Sequence, residues 1–223
     1  MRTFATAAPI AAVVTLPAGH LRLIAADRAD TTVEVRPADV AESRDVRAAQ
    51  DTTVTYADGV LRIAAPENGK RAFGPAGAVE VTVRLPAGSR VEAKAAAAEL
   101  RGVGRLGDVA FESARGPVKL DEAASARLSL QDGDITVGRL GGAAELTTAR
   151  GDLRVAEAAE GLVVLTTQAG SITVGAARGV AATLDAGTTA GRISNTLRNA
   201  EGTGAGLSIR ATTAYGDITA HAN

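Results

Sequence analysis

The chain has 223 residues, enough for one large domain or two small ones with a real core. Apolar residues make up 46%, yet only Phe4, Tyr56, Phe73, Phe111 and Tyr215 are aromatic, so Ala, Val, Leu and Ile must fill a narrow interior. A net charge of −1 without a basic block argues against a nucleic-acid surface, and the lack of cysteine rules out disulfides, thiolate nucleophiles and Cys-based zinc sites. No run approaches the ~20 apolar residues of a transmembrane helix.

Taken from the start, Met1-Arg2 and the apolar Ala7 to Leu16 have the outline of a short signal peptide. Thr6, Pro9 and Thr15 interrupt it, and Ile10 to Leu16 leads straight into Gly19 and the strand-like Leu21-Arg22-Leu23. A structural first strand and a cytoplasmic location are therefore expected; a cleaved signal over residues 1–18, and an extracytoplasmic location, is the alternative. Thr32 to Arg36, Thr52 to Tyr56 and Val79 to Leu85 alternate as strands. Ser43 to Gln50 fits one short helix with Ser43 as its N-cap, and Pro66 to Gly77 reads as a loop.

From Ala98 onward the sequence repeats. With Gly116, Gly133, Gly151, Gly170, Gly191 and Gly216 as position zero, the residues two places on are Val118, Ile135, Leu153, Ile172, Ile193 and Ile218. Four places on stand Leu120, Val137, Val155, Val174, Asn195 and Ala220. Three places before stand Ser113, Leu130, Thr148, Thr167, Thr188 and Thr213, with apolar residues five and seven before. Each unit is thus an alternating strand, a glycine corner and a second alternating strand. Corners from 98 to 216 are separated by 18, 17, 18, 19, 21 and 25 residues. That is too short for a propeller blade of about 40 residues and lacks helical spacing, but it suits one coil of a β-solenoid whose layers lie ~4.8 Å apart.

The expected fold is all-β: a single-stranded, β-helix-like solenoid with coils of about 17–21 residues. Residues 1–88 form irregular coils that start and cap the stack, and residues 89–223 form the regular repeats of the same continuous domain. An antiparallel sandwich of hairpins is the rival architecture. The long spacings near the end place a loop or lid over Arg192 to Gly206.

At Gly133-Asp134-Ile135-Thr136-Val137, Gly151-Asp152-Leu153-Arg154-Val155 and Thr212-Thr213-Ala214-Tyr215-Gly216-Asp217-Ile218-Thr219, the chain resembles the DUF4097 family. Gly19 to Pro37 is similar to the opening of its actinobacterial members. The family comprises β-strand-repeat proteins related to the toastrack domain and often labelled candidate adhesins. The resemblance implies a β-helix-like fold without known enzymatic activity, and some relatives accompany envelope-stress or membrane systems.

Chemistry is sparse. His20 and His221 are the only histidines and no Gly-x-Ser-x-Gly elbow exists, so nucleophilic catalysis has no basis. Asp134, Asp152 and Asp217 recur after corners, where turn capping explains them better than acid/base or cation chemistry. The hydroxyl column reads as a bonding ladder between coils. Three places after each corner lies an outward position holding Arg101, Lys119 and Arg154, with Arg22 and Arg62 in earlier echoes. This partly basic ladder is the candidate interaction surface. The expectation is a non-catalytic scaffold for a protein or envelope partner, without cofactor or metal, and able to self-associate through coil ends. A polysaccharide-processing β-helix enzyme using Asp134 and Asp152 near Arg154 is one alternative, and an anionic membrane-surface binder is another.

Overall fold

The structure is a computed structural model and describes residues 1–66, 77–197 and 206–223. The loop expected over Pro66 to Gly77 therefore falls, at residues 67–76, outside the described residues, as do residues 198–205 of the expected lid. The chain divides into two compact units, Met1–Gly116 and Pro117–Asn223.

The first unit contains β1 (Arg2–Ala5), β2 (Ala11–Ala26), β3 (Asp30–Pro37), α1 (Ser43–Asp51), β4 (Thr53–Ala57), β5 (Val60–Ala64), β6 (Val79–Pro86) and β7 (Arg90–Arg115). Strand β2 is its hub. The first half lies parallel between β5 and the start of β7, with Val14 opposite Ile63 and Ala93. The second half lies parallel between β6 and the middle of β7, with Leu21 opposite Val81 and Leu100. Buried residues alternate as Ala12, Val14 and Leu16, then change phase to Leu21, Leu23 and Ala25. The change falls at Gly19, whose φ is +122° and where a Cβ would stand 2.0 Å from the Val79 carbonyl oxygen. A strand that turns a corner must shift its inward phase once, and only glycine tolerates both this φ and this approach.

Away from the hub the unit turns antiparallel: β4 pairs with β5, β3 with β6, and β1 with β3. At those edges Arg2 Nη1 donates to the Val54 carbonyl at 2.6 Å, and the rings of Phe4 and Tyr56 meet with centroids 5.4 Å apart. The helix is present, but its N-cap is Glu42 rather than Ser43, and no side chain caps it. Asp45 in the first turn is committed elsewhere, accepting from the backbone N–H groups of Asp39 (3.1 Å) and Ala78 (2.8 Å). Those bonds tie the helix to the chain on either side of it, and Ser43 is drawn into the first turn.

The second unit contains β8 (Val118–Asp132), β9 (Ile135–Leu140), β10 (Ala144–Arg150), β11 (Leu153–Ala158), β12 (Gly161–Ala169) and β13 (Ile172–Ala176). After these come β14 (Ala182–Ala190), β15 (Ile193–Thr196), β16 (Leu207–Tyr215) and β17 (Ile218–Ala222). Among the described residues every strand pair within this unit is parallel, unlike a sandwich of hairpins. Equivalent residues stack as the repeat predicts: Ile135 lies opposite Leu153, and Leu153 opposite Ile172. These three side chains are at most 1% exposed.

The stacking order departs from the chain order at its end. Strand β12 pairs with β16 and β16 with β14, while β13 pairs with β17 and β17 with β15. The coil of residues 207–222 is thus inserted between the coil of 161–176 and that of 182–196. The corner column runs Gly151, Gly170, Gly216, Gly191, and a Cβ at each of the last three would stand 2.0–2.1 Å from the carbonyl oxygen of the corner before it. Polarity accounts for the order. Asn195 occupies the inward column of Val155, Val174 and Ala220, and inside the stack its amide would be buried among apolar neighbours at a cost of about 1–3 kcal/mol. As the outermost member it is exposed. Residues 193–196, expected as part of a loop, are strand for the same reason: β17 offers them an edge.

Candidate functional site

Three columns at the corners carry most of the unit's polar chemistry. The first is the hydroxyl column. Thr148, Thr167, Thr213 and Thr188 each donate from Oγ1 to the corner carbonyl of the neighbouring coil: Gly133 at 3.2 Å, Gly151 at 3.1 Å, Gly170 at 3.0 Å and Gly216 at 3.1 Å. The second is the carboxylate column. Asp134 accepts from the Asp152 N–H at 2.8 Å, Asp152 from the Ser171 N–H at 2.7 Å, and Asp217 from the Arg192 N–H at 2.9 Å. These carboxylates cap backbone donors, as aspartate beside glycine often does, but each donor belongs to the next coil. Both carboxylates of the proposed hydrolytic arrangement are therefore committed to the main chain.

The third is the outward ladder. In the second unit Thr136 lies between Lys119 and Arg154, and Thr173 follows Arg154. Arg154 has no ion-pair partner among the described residues. In the first unit Arg101 lies beside Arg22, with its Nη1 donating to the Gly102 carbonyl at 2.7 Å. Arg62 lies elsewhere, on β5 between Val13 and Thr55.

Several other surface charges form pairs between adjacent coils. Arg127 stands 3.4 Å from Glu145, Arg150 3.4 Å from Asp132, and Arg139 3.9 Å from Glu157. Arg90 stands 3.4 Å from Asp108 and Lys94 3.7 Å from Glu112. All are exposed and individually weak, worth about 0–1 kcal/mol. Each pair is 18 residues apart in sequence, one coil, so opposite charges at that spacing were a readable sign of the register.

Neither histidine joins a nucleophile. His20 lies between Glu80 (4.0 Å) and Glu99 (3.6 Å), and His221 between Gly175 and Thr196. Among the described residues no group of three or more His, Cys, Asp or Glu is placed to hold a metal ion, and no helix is long and apolar enough to cross a membrane.

A parallel stack with glycine corners, held by threonine hydroxyls, is the architecture the sequence motifs implied. The family model for Toastrack DUF4097 matches residues 12–223. The chain belongs to the Toastrack DUF4097 family. Three solved structures are similar to this Toastrack chain. A candidate cell adhesion protein of Clostridium sporogenes ATCC 15579 is 12% identical with a TM-score of 0.43, covering 100% of this chain and 98% of that one. A candidate adhesin of Bacteroides fragilis NCTC 9343 is 14% identical with a TM-score of 0.49, covering 98% and 95% respectively. Another, of Parabacteroides merdae ATCC 43184, is 12% identical with a TM-score of 0.43, covering 98% and 94%. No curated protein matches the Toastrack chain.

Proposed function

We propose that this Toastrack chain is a non-catalytic, adhesin-like scaffold that binds a protein or envelope partner through its coils. The observation that carries the reading is the outermost coil. Strand β14 pairs with β16 and β15 with β17, and among the described residues neither has a second neighbour. A free parallel edge offers unpaired backbone donors and acceptors to another extended chain. It also exposes Ile193, an inward-column residue, to 46%. The usual protections against pairing, lysine, proline and bulges, are absent from β14 and β15. In this reading residues 89–223 are the working repeat. Lys119 and Arg154 are secondary contacts in the second unit and Arg101 is a separate one in the first.

The same edge supports association of two copies through coil ends. Sedimentation velocity over a hundredfold concentration range tests it, with Ile193→Lys as the comparison. Concentration-dependent dimer in the native chain, abolished in the variant, is the expected result. A monomer at every concentration removes self-association, and failure of Ile193→Lys to alter capture of any envelope partner removes the edge as the contact.

A further inference from the structure

The outer face of the first unit carries an uneven distribution of charge. Across the strand order β3, β6, β2, β7, one row reads Arg36, Glu80, His20, Glu99. The next reads Glu34, Thr82, Arg22, Arg101, and the third brings Arg84 opposite Ile24. Most of these groups have partners. Arg36 is bound to Glu34 through Nε (3.0 Å) and Nη2 (2.6 Å), Arg101 to its neighbouring carbonyl, and His20 stands between the two remaining glutamates. Arg22 and Arg84 have no ion-pair partner among the described residues.

Those two arginines line one depression of about 420 Å³ together with Arg36, which Glu34 holds, and with Thr82 and Ile24. They stand diagonally across the parallel β6–β2 pair, Arg22 opposite Thr82 and Arg84 opposite Ile24. Two guanidinium forks lining one depression can share a single oxyanion, and each can bind it bidentately. Around the oxyanion point lie hydrogen-bond acceptors, Glu34 and Glu80, which suit hydroxyl groups, and an apolar contact at Ile24.

We propose that this depression is a binding site for an acidic sugar: Arg22 and Arg84 hold its carboxylate or sulfate, and Glu34 and Glu80 accept from its hydroxyls. A lipid surface does not fit, because membrane binding draws on clusters of ~4–8 basic residues and here carboxylates stand among the guanidiniums. The assignment goes beyond the scaffold reading and stands or falls apart from the coil edge, which lies in the other unit.

Calorimetric titration of the full chain with digalacturonate tests it, alongside its neutral dimethyl ester, inorganic sulfate, and vesicles containing phosphatidylglycerol. Binding of digalacturonate at least tenfold tighter than of the ester or of sulfate is expected. Arg22→Ala and Arg84→Ala should each weaken it about tenfold, while Arg178→Ala, at an exposed arginine of the other unit, leaves it unchanged. Equal binding of the ester overturns the carboxylate contact, and equal binding of sulfate overturns the sugar contact. Vesicle binding without digalacturonate binding, equal weakening by Arg178→Ala, or no binding of any probe overturns the site. Thermal melts of each variant confirm that the comparison is between folded chains.

Discussion

The inserted coil makes a prediction that chain order would reverse. Ile218 and Ile193 are equivalent residues two places after their corners, and they lie opposite each other in the sheet. Ile218 is 0% exposed because β13 and β15 flank its strand; Ile193 is 46% exposed because nothing covers its outer side among the described residues. Ile→Ala removes three carbons, worth ~0.8 kcal/mol each when fully buried, or ~2.4 kcal/mol of transfer free energy. At Ile218 the surrounding coils cannot collapse, and a cavity term brings the cost to about 3–4 kcal/mol. At Ile193 about half the transfer term applies and little cavity forms, leaving about 1 kcal/mol. Urea unfolding of both variants measures the difference, with hydrogen exchange at residues 207–222 as a local readout. A larger loss at Ile193 than at Ile218 would refute the inserted order, because stacking in sequence would leave the last coil outermost.

Glycine columns separate two effects. Gly170→Ala meets the Gly151 carbonyl at 2.0 Å at a φ of +154°, whereas Gly179→Ala has a φ of +76° with nothing within 4 Å. The first should cost about 3 kcal/mol or more and the second about 1–2 kcal/mol in thermal unfolding, the gap being the close approach of coils. Thr167→Val removes a buried hydroxyl bond to Gly151 and should cost about 1 kcal/mol by urea midpoint, while Thr188→Val, on the outermost coil where water can replace it, costs less than about 0.5 kcal/mol. The Arg28 guanidinium binds both carboxylate oxygens of Asp30 and lowers its pKa below the ordinary value. The stability this contributes is present above about pH 4 and is lost as pH falls through the lowered folded value. Asp30→Asn should therefore flatten the acid limb of a stability–pH profile and leave the slope near neutrality unchanged.

Much of the fold was legible because a parallel stack writes its register directly into the spacing of side chains. Ile135, Leu153 and Ile172 are equivalent in sequence and adjacent in space. What spacing does not encode is which equivalent sits next to which. The coils of 182–196 and 207–222 are both in register with that of 161–176, and periodicity is the same in either order. Asn195 was the distinguishing mark, since an amide in an apolar column belongs where water reaches it. The antiparallel pairing of β3 and β4 left no such trace: alternation marks a strand without giving its direction. The carboxylates after the corners were legible as caps, but their donors were found only once the coils were laid over each other. On the candidate surface, Arg22 and Arg101 share a row as the sequence echo implied, whereas Arg62 does not, because its strand follows a tight Asp58-Gly59 turn onto the other half of β2. The basic depression involving Arg84 required β6 and β2 to be neighbours, which nothing in either segment announces.

A stack that follows its own sequence can grow like a zipper, each layer closing on the one just completed. Here residues 182–196 have no wall to lean on until residues 207–222 arrive and close on residues 161–176. The outermost layer therefore closes after the one that follows it in sequence, over contacts such as Val163 with Ile209 that span more than two coils of chain. Opening the seam between them frees the outermost layer alone, so protection at the outermost strands should never outlast protection at the strands tucked beneath.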